Sequence, residues 1–333
     1  RMFTRPEPAA GEDAVHFAML QGRSASTVLL VGGGAGGSLD ELLKYPGVRV
    51  DYVELDPGLL GLVRRHLDPG ARRAIDDPRV SLFFEDGRSY LLGVGKTYDV
   101  IIIDLPGPAT AQLNRFYTRE FFELARRHLT AGGVCSFGLA SSENYIGPEL
   151  GDLLASLHKT AAAVFPNVHV VPGDRNVFLA SAGPLSIEPD ELERRRREEG
   201  VETTYVGGGF LRSRLHPLRV RYLEDRLAEG SGPLNSALKP AALFLESLLW
   251  SRQFRGAATD VLRGLATLPV PFLLAWPAFL LLPWLTLIRA ARSPGGYLLA
   301  PVVLMGWTTI IVEIILLVWF QSLYGYLYGR IAV

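Results

Sequence analysis

Four stretches of this chain carry residues that could do chemistry together. Glu54 closes an apolar run, DYVELDP at Asp51 to Pro57. Asp86 and Gly87 close a second, in EDGRSYL. Asp104 closes a third, YDVIIIDLPGP. Before all of them stands VLLVGGGAGG, Val28 to Gly37, with Gly32, Gly33, Gly34 and Gly36 in its turn. A carboxylate such as Glu54 accepts two hydrogen bonds from a ribose diol. Asp86 and the Gly87 N–H suit an adenine edge. Asp104 would point into the same crevice. Three carboxylates converging on one pocket attract a cation by Coulomb's law and repel the two phosphates of a dinucleotide. A sulfonium nucleoside carries one positive charge and no phosphate, so the pattern favours a ligand of the S-adenosylmethionine type. Asp56 and Asp86 also fit the simpler role of helix N-caps.

The elements that would position these groups follow from periodicity and turn residues. An apolar strand, a glycine turn, a helix and a second strand ending in an acid about twenty residues on is the opening of a doubly wound α/β domain. The sequence predicts strands over 28–31, 49–55, 80–84, 98–103, 134–139, 168–171 and 176–180. It predicts helices from Ser38, over 57–67, from Arg88, over REFFELARRHL from Arg119 with a stop at Ala131-Gly132-Gly133, over 149–165 and over 187–199. The alternation implies a parallel sheet closed by an antiparallel hairpin. The most apolar strand, Tyr98 to Ile103, suits a place covered on both faces. In the charged helix, Arg194 to Arg197 are flanked by Glu191, Glu193, Glu198 and Glu199, which predicts a solvated, self-paired face.

Composition divides the chain. Its 333 residues hold 34 basic and 34 acidic side chains, so nothing marks a nucleic-acid surface. The single cysteine, Cys135, excludes an internal disulfide and a thiolate zinc cluster, and no metal is expected. The last seventy residues or so are strongly apolar. The expected organisation is an N-terminal remnant of loop and short helix at 1–27, a Rossmann-like nucleoside-binding domain at 28–183, a helical extension and membrane linker at 184–264, and two transmembrane helices at 265–333. The spans are expected over 265–288, kinked by Pro269, Pro271, Pro277 and Pro283, and over 297–320, with Glu313 inside. Arg252, Arg255, Arg263 and Arg330 against Arg289 and Arg292 then favour a cytoplasmic nucleoside domain. This reading places the chain in a bacterial inner membrane, in contact with the lipid bilayer and with further transmembrane helices or subunits. The first residue is Arg, and the expected chain is a piece of a longer polypeptide.

Taken together, VLLVGGGAGG, YVELDP, EDGRSYL, YDVIIIDLPGP and FYTREFFELARRHLTAGGV resemble the spermidine synthase (polyamine aminopropyltransferase) family over about Phe17 to Ser181. LNRFYT and QSLYGYLYG resemble its membrane-bound bacterial branch. The resemblance implies a Rossmann-like sheet of the S-adenosylmethionine-dependent transferase type. It implies decarboxylated S-adenosylmethionine as co-substrate and an amine such as putrescine as acceptor. Glu54 would then bind the ribose, Asp86 and Gly87 the adenine, and Asp104 would accept the proton of the attacking amine. His16 falls where the family places an amine-site histidine. Three positions depart from the family pattern: Ala35 and Gly107 stand where it has acids, and Val15 where it commonly has tyrosine. Those departures keep two alternatives beside aminopropyl transfer: a catalytically degenerate domain that binds a nucleoside or assembles a membrane complex, and an S-adenosylmethionine-dependent methyltransferase.

Overall fold

A computed structural model of the chain describes residues 8–22, 25–58, 60–61, 73–251, 305–306 and 308–316. The chain divides into two units, residues 1–246 and 247–333.

The first unit is built on a seven-stranded sheet: β1 (Thr27–Val31), β2 (Arg49–Glu54), β3 (Val80–Phe84), β4 (Tyr98–Ile103), β5 (Leu129–Ala140), β6 (Asn167–Val171) and β7 (Arg175–Ser181). Their spatial order is β3-β2-β1-β4-β5-β7-β6. The first five run parallel, and β7 runs antiparallel to both β5 and β6. The strand order reverses between β1 and β4, and at such a switch point a crevice opens outside the carboxyl ends of the strands.

Period-two alternation sorts the side chains onto two faces. Val28, Leu30, Val50, Tyr52, Val100, Ile102, Val134, Val177 and Leu179 share one buried cluster with α1 (Pro8–Met19) and α2 (Ser38–Leu42). The alternate residues Leu29, Ile101, Cys135, Phe137 and Phe178 are equally buried. There Phe137 stacks on Phe178 at 4.6 Å between centroids and on Phe122 at 5.3 Å. Because both faces are covered, these strands read as apolar runs and not as an alternating pattern.

Helix starts follow the local rules. Asp86 caps α3 (Gly87–Gly93), Thr110 caps α4 (Ala111–Asn114) and Thr118 caps α5 (Arg119–Arg127), each through a side-chain oxygen. Pro148, Pro189 and Pro217 stand at the first turns of α6 (Pro148–Ala162), α7 (Pro189–Glu198) and α9 (Pro217–Glu229), where a missing N–H costs nothing. The extension also holds α8 (Gly208–Arg214), and α10 (Ala241–Ser251) follows.

Several expectations are corrected. The helix expected to be short within 1–27 spans twelve residues, with Val15, Phe17 and Ala18 fully buried. Its polar residues are satisfied from distant chain. Glu12 accepts the N–H groups of Thr204, Tyr205 and Val206, and Asp13 pairs with Arg214. Helix α5 ends at Arg127, and Gly132-Gly133 are not its stop. They lie inside β5, where the register slips between the Tyr98 and Val100 pairings. Tyr98 N–H takes the His128 carbonyl at 2.8 Å, and a Cβ at Gly133 would lie 3.0 Å from the Tyr98 carbonyl oxygen. The glycine is there for close backbone approach. Arg194 to Arg197 are paired with Glu191, Glu193 and Glu198 as expected, yet Glu193 is buried and Arg195 also donates to the carbonyls of Leu20 and Gln21.

The inner-membrane localisation is corrected, and the bilayer as a partner gains no support from the described residues. Among the described residues no helix is long and apolar enough to cross a membrane. A crossing needs about 20 continuous helical residues at 1.5 Å each. The described part of the second expected span is confined to residues 305–306 and 308–316. The expected span over 265–288, the rest of 297–320, the part of the predicted helix 57–67 after residue 61 and the linker beyond residue 251 lie outside the described residues.

Candidate active site

The glycine turn runs directly off β1 into a short 3-10 turn, Gly34–Gly36, and then into α2. Gly32 and Gly33 adopt φ of 71° and 70°, which L side chains rarely take. The four glycines do different things. A Cβ at Gly32 would lie 2.6 Å from the Leu105 side chain, and one at Gly33 would lie 1.9 Å from Oδ2 of Asp104. A Cβ at Gly34 would strike the Tyr52 ring at 2.5 Å. At Gly36 nothing stands within 4 Å. So three of them let β2 and the end of β4 approach the turn, and Gly36 alone leaves open space beside the backbone.

Asp104 follows β4 at the switch point. Its N–H donates to the Val31 carbonyl at 3.0 Å, which ties it to the end of β1. Ser38 Oγ, in the first turn of α2, donates to Asp104 Oδ2 at 2.5 Å. Arg175 Nη2, from the start of β7, donates to Asp104 Oδ1 at 2.9 Å. Arg175 reaches across β5 because residue 138 is glycine: a Cβ there would lie 1.9 Å from Arg175 Nε.

Glu54 ends β2. Its Oε2 accepts the Tyr52 hydroxyl at 2.9 Å, and its Oε1 accepts the Leu55 N–H at 2.9 Å. Burial, and then the Glu54 charge, pushes the Tyr52 phenol well above its ordinary range, so it stays a donor to the carboxylate. Asp56 accepts the Gly58 N–H at 2.8 Å, in the capping role the sequence allowed.

Asp86 takes the capping role as well. Its Oδ1 accepts the N–H groups of Arg88 and Ser89 at 3.0 Å each, and its Oδ2 pairs with Arg115. Arg115 is almost wholly buried and lies over the Phe116 ring, 5.0 Å from its centroid. Burial brings its guanidinium down to about 10. Gly87 is needed for packing, since a Cβ would lie 2.5 Å from Val31.

The structure does not bring His16 to these groups by any hydrogen bond. Its ring is fully buried, with Nδ1 2.8 Å from the Tyr45 hydroxyl and Nε2 2.8 Å from Glu41. Burial would raise the Glu41 carboxyl, but hydrogen bonds from His16 and Lys44 outweigh it and hold it below its ordinary value. This trio fastens α1 to α2.

The electrostatics differ from the sequence-based expectation. Of the three carboxylates, Asp86 faces Arg115 and Asp104 faces Arg175. Only Glu54 keeps neutral partners, so these strand ends are far less negative than three bare acids would make them. Arg115 lies in the LNRFYT stretch, but its direction toward Asp86 had no local signal. Arg175 had none either, because β5 and β7 are neighbours only in the folded sheet.

This strand order, with a glycine turn after β1 and acids after β2, β3 and β4, defines a Rossmann-like transferase fold of the S-adenosylmethionine-dependent type. The spermine/spermidine synthase domain profile matches residues 7–174. The chain is 34% identical over 205 residues to the polyamine aminopropyltransferase of Nitrosomonas europaea, covering 60% of this chain and 62% of that protein. It is 40% identical over 178 residues to polyamine aminopropyltransferase 2 of Pseudomonas aeruginosa, covering 51% and 48%. With the Pyrobaculum neutrophilum polyamine aminopropyltransferase it shares 32% over 215 residues, 59% of this chain and 71% of that one. A crystal structure of spermidine synthase in complex with the transition state analogue AdoDATO superposes with a TM-score of 0.54 at 24% identity, over 66% of this chain and 75% of that one. The Thermotoga maritima spermidine synthase gives 0.53 at 23%, over 67% and 75%. The chain belongs to the spermine/spermidine synthase family. It spans about half to two thirds of the length of the first curated relatives it matches.

Proposed function

We propose that this domain transfers the aminopropyl group of decarboxylated S-adenosylmethionine to an amine such as putrescine. The observation that carries the reading is the position of Asp104. It lies after β4 at the switch point, tied to the glycine turn through Ser38, in a chain of this family.

In this reading Glu54 accepts the ribose diol, with Tyr52 holding its other oxygen. Asp86 and Gly87 frame the adenine end. Asp86 does so with its carboxylate already engaged by the α3 N–H groups and Arg115, so its part is to fix the backbone there. Gly32, Gly33 and Gly34 seat the turn, and Gly36 lines the open side. The amine lone pair attacks the methylene beside the sulfonium, the carbon–sulfur bond breaks, and methylthioadenosine leaves. Asp104 accepts the ammonium proton so that the lone pair is available. Arg175 holds the place on Asp104 that an acceptor ammonium would take, and substrate must displace it. His16 keeps the α1–α2 junction beside the turn in register, a positioning part in place of direct amine contact.

The test is methylthioadenosine release from decarboxylated S-adenosylmethionine with a panel of amines. Release by the wild-type chain, lost in Asp104→Asn, is expected. Nucleoside binding without release, the same in both, would refute the transferase reading in favour of a nucleoside-binding domain. Preference for the carboxylated nucleoside would favour methyl transfer.

A further inference from the structure

One carboxylate beside Gly107, in the loop that follows Asp104, takes no part in the site described above. Gly107 lies three residues beyond Asp104 and has no side chain. A Cβ built there would lie 3.6 Å from Oε1 of Glu246 and 2.9 Å from Cδ1 of Leu139. Glu246, on α10, therefore reaches the backbone of the Asp104 loop from a helix far along the chain. The loop itself is pinned: the Tyr117 hydroxyl donates to the carbonyls of Pro106 at 2.7 Å and Leu105 at 3.2 Å. Tyr117 is fully buried, and Arg175, Asp104 and Glu246 all act on its phenol electrostatically, so the three charged groups share one neighbourhood.

Glu246 differs from the other acids there. Asp86 has Arg115, Asp104 has Arg175, and Glu54 has Tyr52 and two backbone N–H groups. Among the described residues no cation or hydrogen-bond donor offsets Glu246, and burial raises its carboxyl above the ordinary range. A half-buried carboxylate without a partner is destabilised in its charged form and gains most from an incoming cation. Because residue 107 is glycine, no side chain of the loop stands between that carboxylate and the loop backbone.

We propose that Glu246 holds the second ammonium of a diamine acceptor while the first is presented to Asp104, and so sets a preference for diamines over monoamines. This rests on the transferase reading for its substrate class. The carboxylate comes from α10, not from the loop after β4, so the cation-binding capacity of the acceptor end survives Gly107.

The test is isothermal titration of putrescine and of propylamine into the chain preloaded with methylthioadenosine, for wild type, Glu246→Gln and Glu246→Asp. Glu246→Gln is expected to weaken putrescine at least tenfold more than propylamine, the scale of one charge-assisted contact. Glu246→Asp is expected to fall between. Equal weakening of the two amines, or none, overturns the proposal, as does a wild-type chain that binds neither. Methylthioadenosine affinity shows that the nucleoside half is intact. Should Glu246→Gln lose it, the decision passes to Glu246→Asp, whose unchanged preference overturns the proposal. A wild-type chain that prefers putrescine yet releases no methylthioadenosine refutes the transferase reading and leaves Glu246 as a diamine-binding group.

Discussion

Two glycines three residues apart in the same turn give opposite expectations. Gly33 sits at φ 70° with its missing Cβ 1.9 Å from Asp104 Oδ2, whereas Gly36 has no such φ and nothing within 4 Å. In Gly33→Ala the left-handed backbone costs roughly 1–2 kcal/mol. The methyl group also forces the Asp104 carboxylate aside. That breaks the Ser38 bond, worth about 1 kcal/mol net, and the Arg175 bond, about 1.5–3 kcal/mol as a charge-assisted contact. With partial relaxation the loss is about 3–5 kcal/mol. For a slope of about 2–3 kcal/mol/M, the urea midpoint falls by more than ~1 M. Gly36→Ala is expected within about 0.5 kcal/mol of wild type. Urea unfolding followed by circular dichroism measures both. If Gly33→Ala unfolds within about 1 kcal/mol of Gly36→Ala, the turn does not depend on Asp104 in the way argued.

Three further outcomes are expected. Arg115→Ala leaves Asp86 with a buried charge and no guanidinium, and should lose about 3–5 kcal/mol in urea unfolding; a loss below ~1 kcal/mol would mean that the α3 cap alone satisfies Asp86. Burial pushes the Cys135 thiol up to about 12, so a disulfide reagent at pH 8 should leave it unmodified in the native chain and react fully in denaturant. Hydrogen bonding from Arg196 brings Glu193 down to about 2, below its unfolded value near 4.5. Its contribution is therefore complete above the unfolded value and is lost as pH falls toward 2. Between pH 6 and pH 3 the wild type should lose more stability than Glu193→Gln, and equal losses would rule out that linkage.

Much of the architecture was legible because strand periodicity, caps and glycine turns are local. The seven strands, the antiparallel hairpin at the end of the sheet and the Thr118 cap follow from residues close together in the chain. The start of β5 did not, because Gly132-Gly133 look like a helix stop. The approach of the Tyr98 and Asp99 carbonyls explains Gly133 in the strand, whereas nothing stands within 4 Å of a Cβ at Gly132. The expected membrane spans rested on apolar length alone, and most of both lies outside the described residues.

By itself the sequence determined the order of elements and the acids at three successive strand ends, since each depends on side-chain period and turn chemistry over a few residues. It could not determine what faces those acids. Arg115 against Asp86, Arg175 against Asp104 and Glu246 beside Gly107 are all set by helices and strands that meet only across the folded sheet. Charge acts through space over a few ångströms, so the electrostatic character of the site was decided by tertiary structure alone.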